Sequence, residues 1–157
     1  MKKIKLTLLL LTCILSFIGC EDNEPDVLVN SSSIIPSTTE GRTNVNQGCV
    51  ETDSRIITVS LWDHGTVDGD IVSLFINDRK VVNEITLDGP NNKYNIDLTL
   101  ENNGYNYISL YAHNLGDISP NTAAISINGE EFSLESNLNR NGAFDVIVTG
   151  FDVTCFN

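Results

Sequence analysis

Basic residues are scarce in this chain. Nine lysines and arginines stand against 21 acidic residues, a formal net charge of −12. Lys2, Lys3 and Lys5 lie ahead of the first apolar run, so the remainder carries six basic residues and a charge of −15. A field of that sign repels phosphate backbones and excludes nucleic acid as an expected partner. Histidine is nearly absent, with only His64 and His113, and these two have no zinc-like spacing. Beyond residue 18 there is no apolar run of membrane-spanning length. G-x-S-x-G, H-E-x-x-H and G-x-x-x-x-G-K are all missing. Carboxylates are plentiful enough for a glycosidase pair, but a domain this small offers little depth for a cleft. We therefore expect no enzyme.

What is present begins with an address. Met1 to Lys5 is positively charged and Leu6 to Ile18 is an apolar stretch of thirteen residues, the layout of an export signal over 1–19. It ends in Phe17-Ile18-Gly19-Cys20. A small residue directly before a cysteine resembles the lipobox of bacterial lipoproteins, although that pattern prefers Leu where Phe17 stands. The resemblance implies cleavage before Cys20 and acylation of its thiol and amine, palmitate included, which anchors the chain to a membrane without spanning it. Glu21-Asp22-Asn23-Glu24-Pro25-Asp26 resembles the acidic tags of surface-exported lipoproteins of Bacteroidota. It implies an outer-membrane lipoprotein facing outward, the alternative being a periplasm-facing one. Residues 20–47 are poor in aromatics and rich in Ser, Thr, Asn and acid, and are read as a flexible acidic tether.

Cys13 falls in the apolar run and Cys20 at the anchor, which leaves Cys49 and Cys155. In an exported protein this even pair is expected to form a disulfide. The alternatives are two free thiols or a metal pair.

From about residue 48 to 157 the pattern turns to period two. Arg55 to Trp62, Asp70 to Ile76, Lys80 to Leu87, Tyr94 to Leu100, Tyr105 to His113, Ala123 to Ile127, Glu131 to Leu134 and Ala143 to Val153 read as strands. Asp88-Gly89-Pro90, Asn102-Asn103-Gly104, Asn128-Gly129 and Asn141-Gly142 read as turns. The expected fold is all-β, an antiparallel sandwich of Ig-like or jelly-roll type. The aliphatic faces Ile57, Val59, Leu61 and Ile108, Leu110, Ala112 should point inward.

Chemistry concentrates in Trp62-Asp63-His64-Gly65-Thr66-Val67-Asp68-Gly69-Asp70. Three carboxylates this close repel one another unless they are solvated or share a cation. All-oxygen ligands suit calcium, so Asp63, Asp68 and Asp70 are the candidate metal residues. The spacing is not that of an EF-hand, and a polar turn whose Asp side chains bond backbone amides suits the same residues. With the later block Ala112-His113-Asn114-Leu115-Gly116-Asp117-Ile118-Ser119-Pro120-Asn121-Thr122-Ala123, this loop resembles a β-sandwich module of exported Bacteroidota proteins. That resemblance spans about residues 55 to 149 and implies fold and export, not catalysis. Asn114, Asp117 and Asn121 are candidate binding residues, either joining the Asp cluster or only shaping their own loop. Trp62, with Phe75, Tyr105, Tyr107 and Tyr111, would form a platform for sugar rings if these rings face solvent together; the alternative is ordinary packing. The expected function is a non-catalytic, envelope-anchored module that binds a protein or glycan partner. A purely structural spacer or complex subunit is the alternative, and a polysaccharide-acting enzyme comes third.

Overall fold

The computed structural model describes residues 33–155. The signal segment 1–19, Cys20 and the tether as far as residue 32 lie outside the described residues. Ten strands occur among the described residues: β1 (Thr38–Thr39), β2 (Arg42–Thr52), β3 (Ile56–Asp63), β4 (Ile71–Ile76), β5 (Arg79–Thr86), β6 (Tyr94–Thr99), β7 (Tyr105–Ala112), β8 (Asn121–Ile127), β9 (Glu130–Ser136) and β10 (Arg140–Val148). They form a six-stranded sheet in the order β1-β2-β10-β7-β4-β5 and a four-stranded sheet in the order β6-β3-β8-β9. The fold is all-β and sandwich-like.

Alternation of side chains places the core between the sheets. Ile57, Val59 and Leu61 of β3 and Ile125 and Ile127 of β8 meet Val72, Leu74 and Ile76 of β4 and Ile108 and Leu110 of β7. Both aliphatic faces singled out from the sequence are buried, and Ile56, on the opposite phase of β3, is exposed. At Asn128-Gly129 both residues have positive φ, 50° and 90°, as a two-residue hairpin between right-twisted strands requires. Asn77 and Asp78, at 47° and 64°, make the same kind of turn between β4 and β5, although neither is glycine.

Three expectations are corrected. The folded part begins before residue 48: β2 starts at Arg42, and Ile34 N–H already donates to Asp145 Oδ1 at 3.4 Å. This strand is mostly exposed, so it lacks the apolar alternation that marks the others. It is held by its ladder to β10 and by Asn44 Nδ2, which donates to Pro36 O at 3.0 Å. The sandwich is also not purely antiparallel, because β2 and β10 pair in parallel, from Thr43 opposite Arg140 to Thr52 opposite Val148. A parallel pair needs a long crossover, and here almost the whole domain supplies it. Finally, Asn141-Gly142 is not a turn but part of β10, with the reversal at Asn137 to Arg140. Asn141 is fully buried and donates to Thr39 O at 3.0 Å, tying β1 to β10.

Cys49 and Cys155 form a disulfide with their Cα atoms 5.5 Å apart. It fastens the chain's last described residue to β2, and Cys155 N–H adds a bond to Glu51 Oε1 at 2.8 Å.

Candidate cation centre

The end of β3, the loop leading into β4 and the loop between β7 and β8 meet at one pole of the sandwich. β3 ends at Asp63, whose Cα is paired with Ala123 of β8. Gly65 N–H turns back to Asp63 Oδ1 at 2.9 Å. Asp68 Oδ2 accepts from Ile118 N–H at 2.7 Å, and Asp70 Oδ2 accepts from Thr122 N–H at 3.3 Å. Each carboxylate thus spends one oxygen on a backbone amide. The other three, Asp63 Oδ2, Asp68 Oδ1 and Asp70 Oδ1, are buried without a hydrogen-bond partner.

These residues offer ligand oxygens that lie within 4.8 Å of one another. Two oxygens on opposite sides of a calcium ion, each at roughly 2.3–2.6 Å, are at most about 5 Å apart, so the spacing of these three is of the order that one ion spans. Asp63 and Asp70 are 3% and 2% exposed, and Asp68 is half-buried. Burying anions together without a counter-charge is costly. Asp70 registers the cost: burial first, then the charge of Asp68 and that of Asp63, push its pKa up to about 6, against the opposing bond from Thr122. The cluster can coordinate a divalent cation.

The polar-turn reading holds for one oxygen of each side chain and fails for the other. The remaining site residues divide. Asn114 is a brace: its Oδ1 accepts from Ile71 N–H at 2.7 Å and its Nδ2 donates to Gly69 O at 2.8 Å, so it grips the chain on both sides of Asp70. Asp117 is exposed on its loop and is not among the converging carboxylates. Asn121 is fully buried, with neither amide atom partnered. It lies two residues from Ala123 on β8 and so shares the sheet face of Asp63.

Gly116 packs on this centre and was not among the residues singled out in the sequence. Its φ is +56°, and a Cβ there would stand 2.3 Å from Asp68 Oδ1. Only glycine lets the loop close over this carboxylate. The Asn-Leu-Gly run carried the signal, since a glycine after a brace residue marks a close approach.

The aromatic platform does not form. Trp62 belongs to the four-stranded sheet, while Phe75 and the three tyrosines belong to the six-stranded one. Trp62 is 6% exposed, with Lys93 Nζ 3.6 Å above its ring, and Phe75 and Tyr107 are buried as well. Elsewhere, Ser73 Oγ lies 2.8 Å from His113 Nε2, whose other ring nitrogen is 4.0 Å from Glu84 Oε1. The Ser73 side chain is fully buried and its oxygen already accepts from Glu84 N–H at 3.0 Å, so the trio ties β4 and β5 to the residue after β7 rather than exposing a nucleophile.

No family model matches the chain, and no curated protein or solved structure matches it either. Any functional reading therefore rests on this pole and on the address in the sequence.

Proposed function

We propose that the chain is an exported, lipid-anchored envelope protein, displayed at the outer membrane, and that its β-domain is a non-catalytic binding module with a calcium-ordered pole. The observation that carries the calcium reading is the convergence of three carboxylates, each with one buried and unpartnered oxygen, from the end of β3 and the loop before β4. An all-oxygen donor set favours a hard cation over zinc or copper, and a flexible, irregular set of carboxylates suits calcium better than the strict octahedron of magnesium. The ion would join the end of β3, the loop before β4 and, through the amides of Ile118 and Thr122, the loop before β8. Export is supported by the disulfide, which persists in oxidising compartments. Anchoring is supported by the Gly19-Cys20 junction after the apolar run.

Calcium titration of chelator-treated protein tests the centre. One ion per chain is expected. Gly116→Ala, which pushes on Asp68 from outside the ligand set, should weaken the affinity by about tenfold, roughly 1.4 kcal/mol. A chain that takes up no calcium contradicts the reading. Anchoring is tested by labelled palmitate in the host: label and membrane fractionation are expected for the natural chain, and loss of both for Cys20→Ser. Label retained by the serine variant would show that the anchor is elsewhere.

A further inference from the structure

We propose that the calcium centre is the floor of a sugar site, where coordination positions left open by the protein take two neighbouring hydroxyls of a neutral glycan. The inference rests on the calcium reading above and adds a ligand class to it.

Ligand number comes first. Calcium takes six to eight oxygens. The three unpartnered carboxylate oxygens supply three, so about three to five positions remain for other oxygens. The carboxylates also line a cleft of about 260 Å³, walled by Gly65, Thr66, Ile118, Pro120 and Thr122. This is below the roughly 300–1,000 Å³ of drug-sized pockets and suits a single ring or the end of a chain.

Charge selects among ligands that offer paired oxygens. Three carboxylates outweigh a dication by one negative charge, and the chain beyond the signal carries −15. A carboxylate or phosphate ligand would enter an unfavourable field, whereas a vicinal diol brings two oxygens and no charge. The walls agree with that choice. Ile118 is 57% exposed at the rim and, with Pro120, offers an apolar surface to the C–H face of a ring. Thr66 and Thr122 add hydroxyls. The sugar-binding expectation thus moves from a buried tryptophan to the loop pole.

An array of mannan, galactan, glucan and xylan, with polygalacturonate as an anionic comparator, tests this on the mature chain with calcium and with chelator. The expected result is retention of at least one neutral glycan in calcium and its release by chelation. Ile118→Ala should weaken that retention by about fivefold while leaving calcium titration within twofold, because only the backbone amide of Ile118 serves Asp68. Calcium uptake with no neutral glycan retained would overturn the sugar site and leave the metal centre standing. So would retention that ignores chelation, or a preference for polygalacturonate. A chain that takes up no calcium removes this inference together with the reading beneath it.

Discussion

Calcium at about a hundred times its dissociation constant should raise the melting temperature of the chelator-treated protein by about 10 °C, and Asp70→Asn should abolish the rise. The first figure follows from linkage: a ligand at that excess stabilises the folded state by about 2.7 kcal/mol, and each kcal/mol moves the midpoint of a domain this size by a few degrees. The variant carries a second expectation of opposite sign. The folded-state pKa of Asp70 is about 6, above the ordinary 3.8, because the carboxyl is buried beside Asp68 and Asp63. The folded state therefore holds this proton more tightly than the unfolded one. That contribution is fully present below about pH 4 and is lost as pH rises through 6. Metal-free protein should accordingly melt lower at pH 7.5 than at pH 5. At pH 7.5 metal-free Asp70→Asn should melt higher than metal-free natural protein, since it no longer confines a third negative charge. Calcium competes with the proton, so its stabilising effect should grow between pH 5 and 7. Scanning calorimetry at several pH values, with and without chelator, reads all of this. Melting that is indifferent to calcium at every pH would defeat it.

The second large effect is expected from the Cys49–Cys155 bridge. It links residues 106 apart, and in the chain-entropy model a loop of that order contributes up to about 4.7 kcal/mol. Replacing both cysteines with serine should cost about 2–5 kcal/mol in urea unfolding, with the slope against denaturant rising because the unfolded chain is no longer cross-linked. Reductant should reproduce the loss in the natural protein and leave the double variant unchanged. If natural protein and double variant unfold at the same urea concentration, the bridge does not contribute to stability.

Much of the fold was legible because apolar residues alternate wherever both sheets press on a strand. Ile57, Val59 and Leu61 could hardly be read otherwise, and Asn128-Gly129 has the backbone freedom its hairpin needs. β2 was illegible for the converse reason. Its residues are mostly exposed, and its place depends on backbone pairing with β10, which is about a hundred residues away in sequence. Asn141-Gly142 misled because a fully buried asparagine looks, in sequence, like one that bends a loop. At the candidate centre, the density of Asp63, Asp68 and Asp70 was visible. The division of labour within each carboxylate was not, since it depends on amides at Ile118 and Thr122 that arrive from about 50 residues downstream. The choice between platform and packing at Trp62 was not legible either, since strand phase alone cannot say that Lys93 lies across its ring.

The path of residues 33–39 sets where the chain enters the domain. Ile34 lies against Asp145, five residues along β10 from Arg140, and the chain then runs past Asn44 to the level of Arg42, whose guanidinium bonds Ala112 O beside the loop into β8. The leash therefore comes in away from the loops that carry Asp63, Asp68 and Asp70 and climbs toward them. Whatever precedes Ser33 therefore joins the domain on the side away from its aspartate tip, and the cleft at that tip is left clear of the entering strand.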